Sequence, residues 1–293
     1  FSALARHTET GEEEEFACDA LVLAIGHSSR DTFARLSACG FAMEQRDFAI
    51  GARIEHLQEK IGIAQYSAWH NLLPPADYKL ASHAGARSAF TFCMCPGGYV
   101  MPSSSEAGGV VTNGMSNYAR DGVNANSALL VQIVRADFDR GNVLDGAEFQ
   151  RRIERAAFAM AGGNYAAPVQ RVEDFFEGRA SARFGEVLPS YAAGTAMCDL
   201  NALFSETIAQ SMKAALRDMG KRLKGFDHPD ALLTAPETRF SSPVRVVRGE
   251  TLESVTHGGV YPCGEGCGYA GGIMSSAADG LRIAEQIFKK WAD

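Results

Sequence analysis

The stretch running from Tyr261 through Gly264-Glu265-Gly266-Cys267-Gly268 to Gly271-Gly272-Ile273 constrains the fold more than any other part of the chain. A short apolar strand over 259–263 enters a loop with five glycines between 264 and 272, and a helix follows. Glycine lets the backbone take left-handed dihedrals and lets another main chain or a ligand approach without a Cβ in the way. The free N–H groups of a helix start favour an electron-rich neighbour. Ser275, Ser276, Ala277 and Ala278 keep the first turns narrow. Gly266, Gly268 and Gly271 spell G-x-G-x-x-G, yet no second strand follows the helix and no Asp or Glu stands on one, as a βαβ unit requires. Two readings stay open from these residues: a tight turn that packs a helix on a sheet, and the rim of a ligand site.

With 293 residues, 46% hydrophobic and 22% charged, the chain has the composition of a soluble globular protein of one large or two ordinary domains. The formal net charge of -7 and the lack of dense Lys/Arg runs argue against nucleic acid or an anionic membrane surface as partner. No apolar run approaches the roughly 20 residues of a bilayer span and no secretory signal pattern opens the chain. A cytoplasmic location is therefore expected, and the oligomeric state is left open. Starting at Phe1 in what reads as a strand, the sequence is taken as a piece of a longer protein. Seven scattered cysteines, an odd number, argue against a disulfide framework. The close pairs Cys93/Cys95 and Cys263/Cys267 lack the C-x-x-C spacing of redox or zinc sites, so packed thiols and no metal are expected.

The apolar run Phe16–Ile25 reads as a buried strand ending at Gly26, followed by a short helix with Phe33 and Leu36 on one face. From Phe48 to about Val111 several closely spaced strands predict a mainly antiparallel sheet. Residues 125–138, 145–161 and 203–223 read as helices, the last with Phe204, Ile208, Met212, Ala215 and Met219 along one stripe. Strands return after residue 236, and Ile273, Ala277, Leu281, Ala284 and Phe288 repeat at helical spacing in the final segment. The fold class is α/β with an α+β insertion: residues 1–47, an inserted mixed strand/helix domain over 48–235, and a return over 236–293.

Gly264-Glu265 followed by Gly271-Gly272-Ile273 resembles the late strand–loop–helix of flavoproteins of the glutathione-reductase type. There a Gly-Asp or Gly-Glu carboxylate accepts hydrogen bonds from FAD hydroxyls, and the helix start points at the flavin pyrimidine edge. The run from Cys18 to His27 resembles the strand after which such chains leave the FAD domain; Ile25 replaces a frequent Thr, so only the strand and Gly26 carry over. The blocks LAIGHSSRDTF (23–33), FAIGARIEH (48–56), TFCMCPGGYV (91–100), TNGMSNYARDG (112–122) and PETRFSSPVRVVR (236–248) are similar to a bacterial family of uncharacterised FAD-dependent dehydrogenases. The resemblance implies a partial, Rossmann-like FAD-binding domain interrupted by a substrate domain. It implies hydride transfer between flavin N5 and an unidentified small organic substrate, with NAD(P)H as a candidate electron partner. The implied FAD-binding residues are Gly26, Gly264, Glu265, Gly266, Gly271, Gly272 and Ile273.

For substrate contact the sequence offers Arg239 and Arg245, whose guanidinium forks suit a carboxylate or the charge of a reduced flavin. Glu237 and Arg239 could equally pair with each other across a strand. His27, just past Gly26, is either a turn residue or a proton-exchanging group near neutral pH. The chain departs from the family's pattern in having no G-x-G-x-x-G loop and acidic ribose ligand before residue 18. Alone it is expected to bind FAD weakly or not at all and to be inactive. A non-catalytic flavin-fold binding or sensor module is the alternative, and the acidic balance disfavours an RNA-modifying flavoprotein.

Overall fold

A computed structural model describes residues 2–291. The chain divides into two compact units: unit 1 comprises the segment up to Asp47, Arg135–Ala147 and the segment from Ser241 on, and unit 2 comprises Phe48–Val134 and Glu148–Phe240. Unit 1 opens with β1 (Ser2–Arg6), β2 (Glu13–Ala17), β3 (Leu21–Leu23), α1 (Arg30–Ala38) and β4 (Met43–Gln45). Unit 2 follows with β5 (Phe48–Leu57), α2 (Gln58–Tyr66), β6 (Ala81–Ser82), β7 (Ala89–Cys95), β8 (Gly98–Pro102), β9 (Thr112–Ser116) and β10 (Asn124–Ile133). After α3 (Asp145–Met160) come β11 (Ala167–Arg171), α4 (Val172–Glu177), β12 (Thr195–Met197), α5 (Glu206–Arg222) and β13 (Leu232–Glu237). The chain closes in unit 1 with β14 (Val244–Val246), β15 (Val260–Pro262) and α6 (Ile273–Trp291). Among the described residues no helix is long and apolar enough to cross a membrane.

Unit 2 is built on a seven-stranded mixed sheet of order β12-β11-β13-β5-β10-β7-β6, antiparallel except for the β11–β12 pair. Its central strand β5 is buried from Phe48 to His56, and a Cβ on Gly51 would lie 1.9 Å from the Leu129 carbonyl of β10, so only glycine permits that approach. The helix expected over 125–138 is instead β10, paired along its length with β5 and with β7. Covered on both faces, this strand shows no polar alternation, and an apolar run of that kind has no period to separate strand from helix. Tertiary pairing decides it. The Gly97-Gly98 turn also departs from a simple hairpin: β7 stays in the large sheet while β8 pairs with β9. Helix α5 lays Ile208, Met212, Ala215 and Met219 against the sheet side bearing β6, β7 and β10, with Met212 and Met219 fully buried.

Unit 1 has shorter elements. The expected strand over 16–25 splits in two, because β2 turns back in an exposed antiparallel hairpin with β1, and β3 pairs in parallel with β15. A second pair joins β4 and β14. Leu36, Val246 and Cys267 form one small core with Leu23, Phe41 and Tyr269 around it, and Tyr261, Cys263 and Ile283 form another. Helix α6 forms, but Ile283 and Asp279 are its buried residues, while Ile273 (89% exposed), Leu281 (68%) and Phe288 (73%) face outward.

Candidate functional site

The parallel register Val260↔Leu21, Tyr261↔Val22, Pro262↔Leu23 brings the carboxyl ends of β3 and β15 out side by side. The segment after β3 is Gly26-His27, and the segment after β15 is Gly264-Glu265-Gly266. Ligands of parallel α/β sheets gather at strand ends of this kind. The two turns touch main chain to main chain: a Cβ on Gly266 would lie 2.3 Å from the Gly26 carbonyl oxygen and 2.7 Å from its nitrogen. His27 Nδ1 then meets Glu265 Oε1 at 3.1 Å, both side chains about a fifth to a quarter exposed. Cys267 Sγ donates to the Leu23 carbonyl at 3.1 Å, tying the loop back to β3.

The glycine pattern has an internal cause. Gly268, at φ +82°, would drive a Cβ to within 2.9 Å of Arg245 Cα and 2.7 Å of the Val244 carbonyl. Gly266 and Gly268 therefore serve close contacts inside the protein, whereas Gly271 has open space where a Cβ would stand. The loop is held from beneath by Asp279, the only charged residue among positions 273–280 of α6. Its Oδ2 accepts from Gly264 N at 2.8 Å, and Arg248 grips both carboxylate oxygens at 2.7 and 3.0 Å. Burial alone would raise the Asp279 carboxyl, but Arg248 and the Gly264 N–H outweigh it and hold the carboxyl below its ordinary value. Arg248 also lies 3.7 Å over the Tyr269 ring, whose hydroxyl donates to the Val246 carbonyl. Sequence reasoning missed Asp279, Arg248 and Tyr269. The lone charge in an otherwise small-residue helix start was the available signal.

The structure thus brings Gly26, Glu265 and Gly266 together, with Gly264 against Ser276 in the first turn of α6 and Gly271, Gly272 and Ile273 opening that helix. Gly271 N donates to Ser275 Oγ at 3.2 Å. Arg245 belongs to the same unit but lies under the loop: its Nε donates to the Gly268 carbonyl at 3.3 Å and its Nη1 pairs with Glu44 at 3.0 Å. Arg239 is elsewhere, in unit 2, and its partner is not Glu237. It bonds Glu154 through Nε (3.2 Å) and Nη2 (3.0 Å) and reaches Ser105, while Thr238 adds a 2.6 Å bond to the same buried carboxylate. Glu237 instead faces the fully buried Arg53 at 3.2 Å. Its carboxyl is pushed up by burial, with Arg53 pulling the other way.

Two further arrangements in unit 2 bear on function. A cavity of about 330 Å³ is lined by Leu57, Tyr99, Val123 and Leu188, with Asn124 and Ser190 at its polar side. Both of those residues also bond the buried Glu55 carboxylate, Asn124 Nδ2 at 2.9 Å. Glu186, His228 and Asp230 bring ligand atoms within 4.8 Å of one another, the spacing of a metal cluster. Lys60 already pairs with Glu186, and Arg171 with Asp230 at 2.6 Å. Asp230 N donates to His228 Nδ1 at 3.1 Å, and His228 Nε2 lies 3.1 Å from Glu186 and 3.3 Å from Lys60 Nζ. These side chains thus belong to an ion-pair network in which Arg171 also serves Glu173 and Asp174.

The chain matches the family described as FAD-dependent protein, C-terminal domain-like, over residues 47–240, and it belongs to that family. The match covers unit 2 together with the short 135–147 segment; the strand-end site of unit 1 lies outside it. A protein of Clostridium beijerinckii (strain ATCC 51743 / NCIMB 8052), described as an uncharacterized protein, is 48% identical over 282 residues, covering 95% of this chain and 53% of the relative. The chain therefore spans about half the length of that curated relative, and the similarity includes both units.

Proposed function

We propose that the chain is part of an FAD-dependent oxidoreductase, with unit 1 supplying the closing side of the flavin site and unit 2 the substrate domain. The observation that carries this reading is the convergence of Gly26-His27 and Gly264-Glu265-Gly266 at adjacent parallel strand ends, directly before the start of α6. FAD, when bound, supplies hydride exchange at N5 with an organic substrate. Glu265 is placed to accept hydrogen bonds from flavin hydroxyls, and His27 at 3.1 Å orients its carboxylate. The helix start at Gly272 and Ile273 offers main-chain donors and the positive end of a dipole to an electron-rich group. Gly266 and Gly268 are taken up by protein backbone, which fits a hydroxyl-and-ring contact better than a pyrophosphate cradle. In this reading the arrangement resembles that of glutathione-reductase-type flavoproteins, and a Rossmann-like FAD domain is shared between unit 1 and further chain. The exposed apolar face of α6 and the half-exposed Val22 of β3 support that sharing, because parallel strands are normally covered on both faces.

For the substrate, the burial of Arg239 against Glu154 and the engagement of Arg245 by Glu44 and the Gly268 carbonyl move the candidate role away from them. The cavity beside Asn124 and Ser190 suits a small, largely apolar organic molecule. NAD(P)H as electron partner and a cytoplasmic location remain part of the proposal. The C. beijerinckii relative is expected to purify with an oxidised-flavin absorbance band, while this chain alone takes up FAD weakly. Glu265→Gln in this chain should weaken that residual binding about tenfold or more, the scale of one charge-assisted hydrogen bond. A relative that neither carries flavin nor takes up added FAD would overturn the reading. A stable flavin-loaded relative without turnover of any reductant would favour the binding or sensor alternative.

A further inference from the structure

Unit 2 holds one arrangement that the flavin reading does not use. Along β7 Ala89 and Thr91 point inward, and regular alternation would bury Cys93 as well; instead Cys93 is exposed while Cys95 is buried. The cause is a bulge. Phe92 pairs with Ala128 and Cys95 with Asn126, so Cys93 and Met94 together stand opposite Ser127. Cys93 takes φ +40°, a left-handed conformation that costs a non-glycine residue on the order of 1–3 kcal/mol and concentrates at functional sites. In a regular strand residues i and i+2 stand roughly 6.6 Å apart, too far for the Cβ separation of about 3.8 Å that a disulfide needs. The bulge breaks that regular spacing, and the Cys95 thiol folds back to donate to the Cys93 carbonyl at 3.2 Å.

The surroundings of Cys95 suit a sulfur that must carry negative charge in passing. Arg53, with no exposed surface, donates through Nη2 to the Cys93 carbonyl at 2.8 Å and lies 3.6 Å from Cys95 Sγ. Asn126, directly across the ladder from Cys95 and wholly buried, accepts from Arg53 Nε at 3.0 Å and leaves its own Nδ2 donor without a partner among the described residues. Glu237 takes the other side of the guanidinium at 3.2 Å. Burial holds the resting Cys95 thiol above its ordinary value, against the pull of Arg53, so the thiolate is an intermediate and not the resting form.

We propose that Cys93 and Cys95 are a redox-active dithiol that exchanges with low-molecular-weight disulfides. The exposed Cys93, after losing its proton to solvent, attacks one sulfur of RSSR; a Cys93–S–S–R bond forms, the RS–SR bond breaks, and RS⁻ leaves. Cys95 then gives up its proton, and its sulfur attacks the Cys93 sulfur within reach of Arg53. The Cys93–Cys95 bond closes, and the second RS⁻ departs. The two protons end on the two RS⁻ groups, so both cysteines are oxidised and RSSR is reduced to two RSH. Two small thiols reverse the sequence. Of the thiols expected to be packed or incidental, Cys95, Cys263 and Cys267 are buried, while Cys93 is exposed.

The test treats the protein with oxidised glutathione and reads protease fragments containing residues 91–100 by mass spectrometry, before and after alkylation. The wild type is expected to lose two hydrogens within that fragment and to regain them with reduced glutathione. Cys95→Ser should stop at a glutathione adduct on Cys93, and Cys93→Ser should leave Cys95 unmodified. Far-UV circular dichroism checks that each variant keeps the native fold. Asn126→Leu, which removes the spare Nδ2 donor together with the Oδ1 that accepts from Arg53 and alters neither cysteine, should slow closure of the mixed disulfide about tenfold. Any of three results overturns the proposal: both thiols unchanged in excess oxidised glutathione, a wild-type adduct on Cys93 that never resolves, or pairing of Cys93 with a cysteine other than Cys95. None of these readouts depends on flavin, so the outcome is separate from that of the oxidoreductase reading.

Discussion

Helices α5 and α6 carry similar apolar rows at helical spacing, yet the two units use them in opposite ways. In unit 2, α5 buries Met212 and Met219 completely against a seven-stranded sheet, and the unit goes on to enclose Arg53, Glu55, Gln170 and Glu154 with their partners. Among the described residues of unit 1, α6 packs beside a two-stranded parallel pair and leaves Ile273, Leu281 and Phe288 outward. An amphipathic stripe states that a helix can bury a face; whether it does depends on what sheet is there to receive it. Unit 2 has the closed core of a domain, whereas unit 1 leaves apolar helix surface exposed, which fits the proposal that further chain completes it.

The sharpest way to break this comparison is at the buried ions of unit 2. Arg53→Met leaves Glu237 and Asn126 without their cation and is expected to cost about 3–5 kcal/mol in urea unfolding, while the double change Arg53→Met with Glu237→Met recovers most of it. Recovery failing in the double variant would mean that Arg53 acts mainly through Cys93 and Asn126. Next in size, Met212→Ala in α5 should lose about 2–5 kcal/mol, as truncations in closed cores do. Asp279→Ala in unit 1 removes both the Arg248 partner and the Gly264 acceptor, for about 2–3 kcal/mol and faster hydrogen exchange at the Gly264 amide. An unchanged exchange rate there would mean that the loop does not rely on α6.

A pH effect of about 2 kcal/mol between pH 7 and pH 5 is expected from His56. Burial, opposed only by its bond to the Phe226 carbonyl, lowers its pKa from 6.5 to about 4. The unfolded chain binds the extra proton between those values, so the stabilisation is complete above pH 6.5 and lost as pH falls toward 4. His56→Gln, which keeps a donor for Phe226, should flatten that part of the profile; an equally steep profile would assign the loss to another group. The smallest effect closes the comparison. Leu281→Ala on α6 should change the stability of this chain by less than about 0.5 kcal/mol, the usual range for exposed positions. A cost near that of Met212→Ala would show that the outer face of α6 is already covered.

Much of the strand-end site was legible because glycine spacing, a lone Glu between glycines and an apolar strand are local features. Gly26, Gly264, Glu265 and Gly266 could be named from the family resemblance those features carry, and the structure sets these residues side by side. Their company could not be named: the partner of Glu265 is 238 positions away at His27, and that of Asp279 is Arg248 on an intervening segment. Arg239 shows the same limit in the other direction. It stood two residues from Glu237 in sequence, but Arg239 lies beyond the end of β13 and the two side chains take different partners, Glu154 and Arg53.

What the sequence determined by itself was therefore the local chemistry: a glycine loop before a small-residue helix, strand-rich segments between them, acidic balance, and two spaced cysteines in a strand ending at Pro96-Gly97-Gly98. Tertiary structure decided the rest. It made a strand of residues 124–133, because two neighbouring strands satisfied both of its edges while core residues covered both faces. It turned Gly266 and Gly268 into backbone contacts instead of a phosphate loop, since Gly26 and Arg245 occupy the space a ligand or a Cβ would take. And it bent the Cys93–Cys95 strand by one extra residue, exposing one thiol and setting the other beside a buried guanidinium, which no spacing rule could announce.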